Sequence, residues 1–130
     1  MKQIDVIVEH SEKNLSAYIA GAPIIVVGDT IKDVEIKMAE AIDFYLEDNS
    51  APVDILTGKF KLKFNIETST FINYYSNTFT KAALSRITGI NERQLWHYAA
   101  GVHKPRKNQI EKIEKGIRSL AEELKEINLV

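Results

Sequence analysis

A tight turn at Thr88-Gly89-Ile90-Asn91 constrains the fold of this chain more than any other feature. Ahead of it, Thr80 can cap a helix reading Lys81-Ala82-Ala83-Leu84-Ser85-Arg86-Ile87, since a threonine hydroxyl accepts from an unpaired amide of the first turn. Gly89 stands where that helix must end. Lacking a Cβ, it adopts the positive φ that reverses the chain without strain. Asn91 can then cap a second helix, Glu92 to Ala100, and Gln94 three residues on can close the capping box. Gly101 stops this helix, and Pro105 ends the loop behind it. Leu95 and Tyr98 lie three apart, share a face, and are expected to pack on Ala83, Leu84 and Ile87. Two short helices joined this way leave the far face of the second projecting from the surface.

That projecting face carries Glu92, Arg93, Gln94 and His97, with Trp96 as a further candidate and Asn91 at the helix N-terminus. A helix of this width fits the major groove of DNA, where its first residues reach base edges. Arginine and glutamine are the side chains whose geometry suits guanine and adenine. Lys81, Lys104, Arg106 and Lys107 flank the helix at positions suited to phosphates. Charge supports the same reading. Residues 1–70 hold 7 Lys and Arg against 12 Asp and Glu, a net of −5, whereas residues 71–130 hold 10 against 6, a net of +4. Between Lys81 and Lys107 the cations Lys81, Arg86, Arg93, Lys104, Arg106 and Lys107 face one acid, Glu92. Such a local excess is the footprint of phosphate binding. The acidic first half points to a different, basic partner.

A last helix is expected over Asn108–Ile127. Its Ile110, Ile113, Ile117, Leu120, Leu124 and Ile127 recur at alternating spacings of 3 and 4, a heptad seam. The stripe either packs wholly within one chain or continues as a zipper to a second subunit. Two-fold DNA readers are generally dimers, which favours a homodimer or higher homo-oligomer.

The first half reads differently. Ile4–Glu9 and Leu15–Ala20 are expected strands, and Ile24–Val27, a β-branched run, is expected as a third strand buried on both faces. Thr30 with Asp33 opens a helix to about Asp48, whose Val34, Met38, Ala41, Ile42, Tyr45 and Leu46 form one stripe. Lys59–Ile66 alternates strictly: Phe60, Leu62, Phe64 and Ile66 face one way, Lys59, Lys61, Lys63 and Asn65 the other. Outward lysines suit an edge strand that must resist aggregation, or contact nucleic acid. The fold class is therefore α+β, a βββαβ domain over residues 1–68 and an all-α domain over 71–130. Thr68-Ser69-Thr70 is expected as a hinge, and the aromatic cluster Phe71, Tyr74, Tyr75 and Phe79 as core.

Several classes are disfavoured. The chain has no cysteine, hence no disulfide framework or thiolate metal site, which fits a reducing, cytoplasmic setting. Its first residues lack a signal peptide's apolar run, and no apolar stretch is long enough to span a bilayer. His10, His97 and His103 are too scattered in sequence for a metal site. No Gly-rich phosphate loop and no nucleophile with a matched base is visible. Asp5, Glu9 and Asp43 are carboxylates of the first half, but no further acid joins them to build a two-metal nuclease. The expectation is a non-enzyme without cofactor or metal.

At Ala83-Leu84-Ser85, Thr88-Gly89-Ile90-Asn91, Leu95, Tyr98, Gly101, Lys104-Pro105, Ile110 and Ile113 the chain resembles the lambda-repressor-like, XRE-type helix-turn-helix domains. With the βββαβ half and its Gly28-Asp29-Thr30 helix entrance ahead of that motif, nearly the whole chain is similar to the HicB family of antitoxins. A departure is Ala20-Gly21-Ala22-Pro23, where the family often carries a Pro-Asp-Leu-Pro-Gly-Cys-like segment. The resemblance implies a partial ribonuclease-H-like N-terminal domain that neutralises a small, basic, HicA-type messenger-RNA-cleaving toxin. It also implies a C-terminal domain that binds operator DNA and represses the toxin–antitoxin operon. The alternative is a stand-alone or phage-type repressor whose N-terminal half oligomerises or senses a ligand.

Overall fold

The structure, a computed structural model, describes all residues from Met1 to Val130. The chain divides into two compact units, Met1–Glu67 and Thr68–Val130.

In the first unit the strands β1 (Lys2–His10), β2 (Leu15–Ile19) and β3 (Ile25–Gly28) precede a helix, α1 (Ile31–Asp48), and a final strand, β4 (Phe60–Ile66). The sheet order is β3-β2-β1-β4. The first three strands run antiparallel, while β4 lies parallel to β1 with Ile4 opposite Leu62 and Val6 opposite Phe64. A parallel neighbour needs a crossover, and α1 supplies it. Alternation then sorts β1: Ile4, Val6 and Val8 enter the core with Leu15, Ala17 and Ile19 of β2. The helix contributes Val34, Met38 and Ile42 from the expected stripe, and its entrance is capped by Thr30, whose hydroxyl accepts from the Asp33 amide at 3.0 Å.

The structure corrects one reading here. β3 is an edge strand, not a doubly buried one: Ile25 is 68% and Val27 51% exposed. Its β-branched run reflects pleated-strand preference, and only the side under α1 is covered. A short 3₁₀ turn, Asp54–Leu56, also buries Leu56, which no local periodicity signals. At the opposite edge, β4 exposes Lys59, Lys61 and Lys63 and half-buries Phe60, Leu62, Phe64 and Ile66.

The second unit holds α2 (Thr68–Tyr74), α3 (Lys81–Thr88), α4 (Glu92–Ala99) and α5 (Lys107–Lys125). Thr68-Ser69-Thr70 is not a hinge but the first turn of α2, with Thr70 fully buried. Without Gly or Pro nothing there stops a helix, and Ser and Thr suit first turns. The core is Ile72, Leu84, Ile90, Leu95, Tyr98 and Ile113, with Phe71, Phe79, Ala99 and Ile117 packed against it. The aromatic cluster expected as core is its half-buried rim: Tyr75 touches Phe71, Tyr74 and Phe79 at centroid distances of 5.1, 4.9 and 6.4 Å. Of the anticipated partners of Leu95 and Tyr98, Leu84 joins the buried cluster, while Ala83 and Ile87 are only half-buried.

The seam of α5 divides. Ile113 is buried and Ile117 packs on the core, but Leu120 is half-buried and Leu124 is 55% exposed. The helix ends at Lys125, so Ile127 falls beyond it and the helical seam stops at Leu124. No helix is long and apolar enough to cross a membrane.

Candidate nucleic-acid interface

The turn between α3 and α4 is built from short-range hydrogen bonds. Thr80 Oγ1 accepts from the Ala83 amide at 3.0 Å, and Asn91 Oδ1 accepts from the Gln94 amide at 2.8 Å. Between these caps Gly89 has φ 78°, the left-handed conformation, and its amide donates to the Ser85 carbonyl at 2.8 Å. The sequence places Thr88 in the turn without assigning its side chain a role; its buried hydroxyl spans the bend. It donates to the Leu84 carbonyl at 2.7 Å and accepts from the Ile90 amide at 3.2 Å. The amides of Gly89 and Ile90 and the side chains of Thr88 and Asn91 are thus engaged within the elbow from which α4 leaves.

Leu95 and Tyr98 anchor α4 in the core. At 100° per residue Arg93 and Ala100 lie opposite this pair, and Glu92, Arg93, Trp96 and Ala100 are exposed. Gln94 and His97, expected on the outward face, are half-buried: Gln94 lies on the Tyr98 side of the helix, and the loop after Gly101 folds against His97. The His97 ring meets His103 edge-on, with centroids 4.8 Å apart, and its Nδ1 is buried without a hydrogen-bond partner. The carbonyl of His97 accepts from the amides of Val102 and His103, folding the loop after Gly101 back onto the helix end.

The flanking cations are available. Lys104, Arg106 and Lys107 are exposed where the loop enters α5. Arg106 occupies the N-cap position of α5, where its guanidinium, a donor only, cannot cap the helix amides. The ion pairs of the unit join Arg118 to Glu114 and Lys125 to Glu122 on α5, away from these residues. Lys81, Arg86, Arg93, Lys104, Arg106 and Lys107 therefore have no carboxylate partner. Lys81 does have a neighbour: its Nζ stands 4.0 Å from the centroid of the Trp96 ring, a cation–π contact that joins α3 to the exposed arc of α4.

In the first unit, Asp5 and Glu9 lie on the face of β1 opposite the core residues. Asn65 Nδ2 donates to Asp5 Oδ1 at 3.2 Å, and Tyr18 Oη donates to Glu9 Oε1 at 3.1 Å. That bond, with desolvation and the negative charge of Glu9 and Glu67, raises the Tyr18 phenol above its ordinary value. Asp43 lies on the exposed flank of α1, and no group of three or more His, Cys, Asp or Glu side chains assembles to hold a metal.

Compared with models of protein families, with curated proteins and with solved structures, the chain shows no match.

Proposed function

We propose that Thr68–Val130 is a helix-turn-helix domain that reads duplex DNA through α4, and that the chain is a non-enzymatic, cytoplasmic transcriptional regulator of the antitoxin type. One observation carries this reading. Arg93 is exposed in the first turn of a short helix that a left-handed glycine holds out from the core, and the cations Lys81, Arg86, Arg93, Lys104, Arg106 and Lys107 of the same unit have no carboxylate partners. Lys81, Arg93, Lys104, Arg106 and Lys107 supply phosphate and base contacts, Glu92, Gln94 and His97 line the groove edges, and Asn91 holds the helix N-terminus.

For the first unit, the βββαβ order with β4 parallel to β1 supports a partial ribonuclease-H-like domain of the kind the HicB resemblance implies. Its net charge of −5 suits a small basic toxin, whose encounter such complementarity accelerates. Exposed Leu124 supports dimerisation through α5. A stand-alone repressor with an oligomerising N-terminal unit is the second reading, favoured by the bare apolar edge at Ile25 and Val27. A small basic reading frame beside the gene, or a toxin that co-purifies, separates the two.

The test is a gel-shift titration of the purified chain against the duplex upstream of its own gene, at several salt concentrations. The expected result is binding whose log K falls with log salt by about 0.9 per phosphate neutralised. Absence of salt-sensitive binding to any duplex overturns the proposal.

A further inference from the structure

Trp96 stands on the exposed arc of α4, between Glu92 and Ala100 around the helix, and is 57% exposed. It is the chain's sole tryptophan. The indole gives this helix face a large apolar surface, with one polar N–H, that its own chain leaves in water. Neighbouring side chains do not bury it. Its one ring contact is Lys81 Nζ, at 4.0 Å from the centroid, so the ring holds a cation while keeping more than half its surface open.

The geometry points to Trp96 as a specificity-determining residue that reads pyrimidine C5-methyl groups in the major groove, with Lys81 held beside it for the adjacent phosphate. The inference rests on the DNA-binding reading and adds to it a base class and a residue. In the major groove thymine is the one standard base that presents an apolar group, its C5-methyl, and apolar side chains recognise it. Arg93, one turn earlier on the same arc, offers donors to guanine, whereas Trp96 has a broad apolar face and one N–H. The arc therefore presents a polar reader followed by an apolar one. The cation–π contact holds the Lys81 ammonium beside the Trp96 ring, on the side of the arc from which it reaches the phosphate next to the base that the ring covers. 5-Methylcytosine carries the same group at the same place, so a methylated C·G pair is expected to substitute for T·A at the position Trp96 covers.

The probe is the tightest duplex selected by the full-length chain from a randomised pool. It is resynthesised with each thymine replaced in turn by deoxyuridine, which lacks only the methyl, and then by 5-methylcytosine paired to guanine. The expected result is one or two positions where deoxyuridine weakens binding about fourfold, the value of one apolar carbon removed from water, and where 5-methylcytosine binds better than cytosine. In Trp96→Ala the thymine-to-deoxyuridine ratio at those positions falls to about one, and Trp96→Phe keeps part of it. Trp96 emission, which reports this arc alone, is expected to change on saturation with the duplex. Salt-dependent binding with unchanged Trp96 emission and no methyl-sensitive position overturns the inference and leaves the DNA-binding reading intact. Failure to enrich any duplex overturns both.

Discussion

The carbonyl oxygen of Ile87 lies 2.6 Å from where a Cβ on Gly116 would stand. Helix α5 thus packs on α3 backbone to backbone, at the turn just before the elbow that aims α4. Gly116 is buried in mid-helix, where alanine would gain about 1 kcal/mol from propensity alone. The obstacle is a main-chain carbonyl, which cannot rotate aside, and overpacking of this kind costs about 1–3 kcal/mol. Gly116→Ala is therefore expected to lower stability, read as a fall in the denaturant midpoint with an unchanged slope. A rise would show that α5 can move off α3 freely.

The caps of the elbow are separable from its packing. Asn91→Ala removes the acceptor of the Gln94 amide and is expected to cost about 1 kcal/mol, while Asn91→Ser, which keeps an acceptor, costs little. Thermal unfolding of both variants checks the difference, and equal losses would mean that Asn91 acts otherwise than as a cap.

Arg93 and Lys107 are both exposed cations with different expected duties. Arg93→Ala should relax preference at one base pair, at a cost of about 1–3 kcal/mol. Lys107→Ala should weaken all duplexes alike and reduce the salt slope by about one. Competition binding against a panel of single-position variants distinguishes them. A change of base preference in Lys107→Ala would reverse the assignment.

Leu124 is exposed one heptad beyond packed Ile117. If the seam closes against a second subunit, light scattering gives a dimer for the native chain. Leu124→Lys then weakens it by about 2 kcal/mol or more, since two leucines leave the interface. A monomer at all concentrations would remove α5 as the dimer contact.

Tyr18 and Glu9 give the first unit a pH signature. The phenol, its proton donated to the Glu9 carboxylate, is raised above the ordinary value near 10. A raised value means the folded state holds its proton longer. The contribution is complete below about pH 10 and disappears as pH rises through the folded-state midpoint. Alkaline absorbance titration of the native chain against Tyr18→Phe should reveal one late-ionising tyrosine, and Glu9→Gln should bring it earlier.

What was legible before folding was local. Thr30, Thr80, Gly89 and Asn91 act on atoms within four residues, so spacing alone predicts their hydrogen bonds and the helix starts they define. The alternation of β4 and the stripe of α1 were readable for the same reason, since a side chain's direction follows its backbone's period.

Tertiary structure decided which of these faces are covered. Ile25 and Val27 are as β-branched as Val6 and Val8, yet they lie exposed because they point to the face of the sheet that α1 leaves open, a consequence of where the helix packs. Gly116 is required by the Ile87 carbonyl, and His97, expected to face outward, is half-buried where the loop after Gly101 folds back onto it, while Trp96 stays exposed. Burial is a property of what arrives from elsewhere in the chain. Sequence by itself therefore determined the elbow and the basic charge around it, and only packing chose the side chains left facing out.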